Sequence, residues 1–156
     1  DRGVLQVARW VARGLLPMPG GPSRTLSLCH VQDLVTALLT AGEAKVPSGE
    51  IFHVAGEGAF TWEQVGDALG EALGVHPTPL RIPVPILLAL ATGADAWGWL
   101  TGRPGYFSRG KVRELAGHWL CDTGKARRQL GVVPSVGLTE GAALTVKWYR
   151  EAGWLT

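Results

Sequence analysis

The chain has 156 residues, 46% hydrophobic and 18% charged, the proportions of one soluble globular domain large enough to bury a core of its own. Its net charge is only +2, with Arg and Lys spread along the sequence, so neither nucleic acid nor an anionic membrane is an expected partner. Two cysteines, Cys29 and Cys121, are too few for a disulfide framework or a spaced metal site and fit a reduced, cytoplasmic setting.

Asp1-Arg2-Gly3 carries no basic leader followed by an apolar stretch, so no signal peptide is expected. Val4, Ala8, Val11 and Leu15 recur at helical spacing and predict a first helix over Val4 to Gly14, followed by a loop from Pro17 to Pro22. Alternation from Thr25 to Val31 predicts a strand with Leu26, Leu28 and His30 on one side. Leu34, Val35, Leu38 and Leu39 then form the stripe of a second helix reaching about Ala44, with Asp33 placed to cap its start.

Ile51 to Ala55 is apolar on both sides, the pattern of a strand covered on two faces in a parallel sheet. Thr61-Trp-Glu-Gln64 is a capping-box sequence, and Trp62, Val65, Leu69 and Leu73 line a third helix that stops at Gly74. A short strand is expected around Leu80 to Ile82. The most apolar run, Val84 to Leu100, is interrupted by Gly93, Asp95 and Gly98 and falls short of the roughly 20 residues of a membrane span, so it reads as a buried helix pair or a pocket wall. Helices are expected over about Pro85 to Leu100, Ser108 to Leu115 and Thr139 to Ala152, the last grouping Ala142, Val146 and Tyr149.

Trp119 to Gly131, WLCDTGKARRQLG, reads as a short strand entering a helix: Asp122 or Thr123 caps it, Ala126 and Leu130 share a face, and Gly131 ends it. Arg127 and Arg128 fit a solvated helix face better than a phosphate clamp. The seven tryptophans are expected mostly in the core, with Trp97, Trp99 and Trp119 able to wall an apolar pocket.

Several reactive constellations are missing. Gly66, Gly70 and Gly74 fall every four residues inside the third helix, which is helix-packing spacing and not the Gly-x-Gly-x-x-Gly turn that admits a pyrophosphate. No Tyr precedes a Lys by four residues, so the dyad in which a cation lowers a phenol's pKa is not found. Cys29 and His30 are strand neighbours whose side chains diverge. His30, His53, His76 and His118 lack metal-ligand spacing, and no catalytic, cofactor-binding or metal residue is assigned.

The segment Trp119, Asp122, Lys125, Ala126, Leu130 and Gly131 resembles a signature near the carboxyl end of extended short-chain dehydrogenase/reductases, the NAD-dependent epimerase/dehydratase-like proteins. Three further segments follow in that family's order: His30-Val31-x-Asp33, Gly49-Glu-Ile-Phe-His-Val-Ala-Gly56 with the helix Thr61 to Leu73 after it, and Leu138 to Trp148. Together the matches cover nearly the whole chain. The resemblance implies a helix-rich α/β fold with few short strands, a single substrate-binding domain over residues 1–156 lacking its dinucleotide-binding half.

The parent it implies transfers hydride between NAD or NADP and a small carbonyl or alcohol substrate, with the dyad and the Gly-rich turn upstream. The chain alone is then expected to be inert and cofactor-free, and to self-associate or pair with the missing half. In the family's sugar-nucleotide epimerases an Arg four residues before the His-Val-x-Asp motif holds the nucleotide phosphates, and that position is Leu26. Arg24 could substitute, but Leu26, Leu28, Tyr106 and Trp119 are the expected substrate contacts and suit an apolar molecule. The pattern Pro104 to Arg109 and Trp148 resemble the dihydroflavonol reductase and 3-beta-hydroxysteroid dehydrogenase branches. A stand-alone binding or interaction module is the competing expectation.

Overall fold

The structure, a computed structural model, describes residues 2–20, 24–102 and 108–155. In chain order the elements are α1 (Arg2–Val11), β1 (Leu15–Pro19), β2 (Thr25–Leu26), α2 (Val31–Glu43), β3 (Phe60–Thr61), α3 (Trp62–Leu73), β4 (Thr78–Ile82), α4 (Val84–Thr101), α5 (Arg109–Ala116), α6 (Gly124–Leu130) and α7 (Leu138–Glu151). It is the helix-rich α/β arrangement that the sequence implies.

The main core forms where α1, α3 and α7 enclose β1. Leu5, Ala8 and Val11 of α1, Leu16 and Met18 of β1, Val65 and Leu69 of α3, and Val146 and Tyr149 of α7 are all buried there. Helix α3 begins with both hydrogen bonds of a capping box, Gln64 N–H to Thr61 Oγ1 and Thr61 N–H to Gln64 Oε1, and ends at Gly74 with φ 76°. A Cβ at Gly66 would lie 2.2 Å from Leu16 Cδ2, and one at Gly70 2.6 Å from the Val75 carbonyl. Gly66 therefore lets α3 pack closely on β1, and Gly70 makes room for the chain returning through Val75 and Pro77.

Strands depart furthest from expectation. The predicted loop at Pro17 is β1, paired in parallel with β4 from Leu15–Thr78 to Pro19–Ile82. Its prolines are tolerated because a two-stranded sheet leaves an edge on which no N–H is needed. The strand predicted over Thr25 to Val31 pairs only at Thr25 and Leu26, antiparallel to β3. Ile51 to Ala55 joins no ladder: Ile51 is 72% exposed, and the segment is tied down by Gly56 N–H to the Leu28 carbonyl and Lys125 Nζ to the Ile51 carbonyl. A two-sided apolar pattern needs a strand on a flank to become a ladder, and no described strand lies there.

Two helix expectations also change. Asp33 is not the cap of α2. His30 holds that place, its Nδ1 accepting from Gln32 N–H, and Asp33 lies within the first turn. The helix expected over about Pro85 to Leu100 is present as Val84–Thr101, but it is one exposed helix and not a buried pair, only 11% of it being buried; by length and composition it could cross a membrane. Nor are the tryptophans mostly core, since all but Trp62 are exposed.

Candidate functional site

A second, smaller core joins α2 to α6. Ala37, Ala126, Leu130 and Val132 are buried in it, with Phe52 and Val54 packed against them. The stretch Trp119 to Gly131 builds this region residue by residue. Trp119 N–H donates to the Thr25 carbonyl and Ser27 N–H to the Trp119 carbonyl, which places Trp119 beside Leu26 in a parallel bridge. Asp122 Oδ1 accepts from Gly124 N–H at 2.8 Å and so starts α6, while Thr123 makes no side-chain cap. Lys125 pairs with Glu50, donates to the Ile51 carbonyl and sits 4.8 Å from the centre of the Phe52 ring. Gly131 ends the helix at φ 67°.

Between α6 and the turn 56–59 lies a cleft of about 260 Å³. Val54, Ala126 and Val132 give it an apolar floor, Ser27, Cys121 and Thr123 supply small polar groups, and Arg127 stands at its mouth. That guanidinium is ion-paired with Glu57 at 3.2 Å, so the mouth presents a neutralised pair and no unopposed cation for a phosphate. Sequence reasoning missed the cleft because its lining comes from three separate segments.

The expected substrate residues are brought together only in part. Leu26 and Trp119 meet through their backbones beside the cleft, although neither lines it. Trp119 is more than half exposed, and its indole N–H is fixed on the Glu114 carbonyl at 2.6 Å. Leu28 packs against the main core. Tyr106 lies outside the described residues. Arg24 does not reach toward Leu26 as a replacement cation: its guanidinium donates to the Pro19 and Leu115 carbonyls and lies over Gly20.

Titratable groups near the motif His30-Val31-Gln32-Asp33 have structural work. Asp33 is 4% exposed, and its carboxylate accepts from Ser135 N–H, Ser135 Oγ and Val136 N–H, tying α2 to the loop before α7. Burial alone raises its pKa, yet those three hydrogen bonds and nearby His30 outweigh burial and hold it below the ordinary value. Burial, with the Asp33 charge second, pushes the Cys29 thiol up, and Cys29 Sγ lies against the His30 carbonyl rather than its ring. That is the opposite of an activated nucleophile. Tyr149 is raised by burial in the core and is no candidate acid or base.

Gly66 and Gly70 have no space beside them for a pyrophosphate, being filled by Leu16, Val75 and Pro77. Among the described residues no group of three His, Cys, Asp or Glu could hold a metal.

No protein-family profile matches the chain. A ceramide reductase of Caulobacter vibrioides is 34% identical over 99% of the chain and 49% of its own length. The chain thus spans about half of that relative. Among solved structures, a UDP-glucose 4-epimerase of Thermotoga maritima with UDP-glucose aligns over 96% of this chain and 40% of its own, at TM-score 0.65 and 24% identity. A UDP-glucose 4-epimerase of Bifidobacterium longum in complex with NAD+ and UDP aligns over 96% and 39%, at TM-score 0.63 and 16% identity. These likenesses are of fold.

Proposed function

We propose that this chain, whose fold is that of the carboxyl-terminal part of extended short-chain dehydrogenase/reductases, is the substrate-binding portion of an NAD(P)-dependent oxidoreductase acting on an apolar carbonyl or alcohol compound. The observation that carries the apolar substrate is the pairing of Leu26 with Trp119, where the resemblance implies a phosphate-holding Arg in the sugar-nucleotide epimerases. Arg24, the candidate substitute, is engaged by backbone carbonyls, and Arg127 is offset by Glu57. The name of the relative that is 34% identical, ceramide reductase, points to a lipid in the same direction.

In this reading the chain works joined to a dinucleotide-binding half in the cytoplasm, in the manner of the dihydroflavonol reductase and 3-beta-hydroxysteroid dehydrogenase branches. The nicotinamide chemistry belongs to the other half. Leu26, Leu28, Tyr106 and Trp119 supply apolar contact to the substrate, while α6 and Lys125 hold the segment from Glu50 to Gly56 beside the cleft.

The test is turnover by the full-length protein, followed as NADH or NADPH consumption with an N-acylated long-chain ketone, a ketosteroid or a UDP-linked 4-keto-sugar. Consumption with the apolar ketones and none with the UDP-sugar is expected. Turnover confined to the UDP-sugar would overturn the assignment.

A further inference from the structure

The ends of α1 and α7 form a surface that the proposed activity does not use, since none of its residues lines the cleft. Helix α1 is two-sided: Leu5, Ala8 and Val11 are buried in the main core, while Arg9, Trp10 and, in the turn that follows, Arg13 are exposed. Arg9 Nη2 donates to the Trp154 carbonyl at 3.2 Å, which ties this side of α1 to the end of α7. There the Trp154 ring stands edge-to-face with Trp148, centres 5.1 Å apart and planes at 75°, and stacks parallel to the buried Tyr149 ring. Trp10, Trp148 and Trp154 are between 43% and 52% exposed, and the Arg13 guanidinium lies over the Trp10 ring, 5.7 Å from its centre. Among the described residues no carboxylate pairs with Arg9 or Arg13, whereas Arg81, Arg109, Lys111, Lys125, Arg127 and Lys147 each have one.

We infer that this surface docks an acidic segment of another protein, one in which carboxylates alternate with apolar side chains, the carboxylates meeting Arg9 and Arg13 and the apolar groups covering the tryptophans. Two cations left without a carboxylate set the sign of the partner. The residue types set its class: Trp and Arg carry most of the energy at protein interfaces, and the guanidinium fork takes a carboxylate through two parallel hydrogen bonds. The side chains are also held in advance, Arg9 by the Trp154 carbonyl, Arg13 by the Trp10 face, and Trp148 and Trp154 by each other. Docking then pays little of the ordering entropy that a mobile surface would lose.

Other anionic partners fit this surface less well. A bilayer needs side chains that enter the boundary between headgroups and acyl chains, and Trp148 and Trp154 are instead packed on one another and on Tyr149. A nucleic-acid strand stacks its bases on open ring faces along a row of cations, and here Trp10 is covered by Arg13 while Trp154 lies between two other rings.

Fluorescence anisotropy with the full-length protein tests the inference, using a fluorescein-labelled peptide of alternating Glu-Leu and Ser-Gly pairs and its counterpart with Lys in place of every Glu. Binding of the acidic peptide, weakened by salt, and no binding of the basic one are expected. Arg13→Glu, at an exposed side chain that lies on the Trp10 ring and not in the core, should weaken binding about tenfold. Trp10→Ser should weaken it severalfold while leaving its salt dependence in place, which separates apolar contact from charge. Arg128→Glu, the same change of charge on the exposed side of α6, should leave it unaltered. No binding of the acidic peptide, equal losses from Arg13→Glu and Arg128→Glu, or tighter binding of phosphatidylglycerol vesicles or oligodeoxythymidine that Arg13→Glu removes would overturn the inference.

Discussion

Asp33 shows how a motif residue can be legible while its work is not. Its place in a helix-opening sequence suggested a cap, but the carboxylate instead collects two N–H groups and a hydroxyl from Ser135 and Val136, a partner more than a hundred positions away that no local pattern announces. Because its folded pKa is depressed, its contribution is fully present above the unfolded value of about 3.9 and is lost as pH falls through the folded one. Asp33→Ala should cost about 1–3 kcal/mol in urea unfolding at neutral pH, since it strands buried donors. The difference between the two proteins should shrink on acidification below about pH 4, and a difference that grew instead would contradict this account.

Trp119 is the residue on which the proposed pocket depends most. Its ring is exposed while its N–H is fixed, so Trp119→Ala removes both apolar contact and the hydrogen bond to Glu114, whereas Trp119→Phe removes mainly the second. In the full-length enzyme the Ala variant should raise KM several-fold with kcat little changed, and Phe should restore most of it, as loss of contact made equally in ground and transition states requires. Unchanged KM in a folded Trp119→Ala protein would remove the residue from the site.

At the scale of elements, helices were readable and most strands were not, the exception being β4, expected around Leu80 to Ile82 and found over Thr78–Ile82. Helix α3 was announced by its capping box, its apolar stripe and Gly74, all of which are local. The signature at Trp119 was also legible, and Asp122, Lys125, Ala126, Leu130 and Gly131 each have a structural task in starting, anchoring, packing or ending α6. Strands β1 and β2 owe their existence to partners distant in sequence, and the Pro17–Pro19 stretch looked like a loop because its ladder with Thr78–Ile82 is invisible to local propensity. The cleft was hidden for the same reason. The close approach of α3 to β1 gives a direct check: Gly66→Ala, which would bring a methyl within 2.2 Å of Leu16 as it stands, should destabilise by about 1–3 kcal/mol in thermal or urea unfolding. A stabilised Gly66→Ala, the outcome of ordinary helix propensity, would show that the packing is looser than described.

Over the whole molecule, apolar side chains accumulate on the surface beyond what a small soluble chain ordinarily leaves there. Val31, Leu34, Val35, Leu38 and Leu39 of α2 are all exposed, as is Ile51 nearby in the small-core region. Such a surface calls for cover, either by the dinucleotide-binding half or, in this chain alone, by another copy. Light scattering across a dilution series should show concentration-dependent association of the 156-residue chain. Leu38→Glu with Leu39→Glu should abolish it. A monodisperse monomer at high concentration would show that this face needs no cover.

The central claim is that the chain supplies substrate contacts and leaves the nicotinamide cofactor to another half, and calorimetric titration with NAD+, NADH, NADP+ and NADPH tests it most directly. The account predicts no saturable heat from the 156-residue chain and a single cofactor site in the full-length protein. A micromolar site on the chain alone, about −8 kcal/mol of binding free energy, would contradict it.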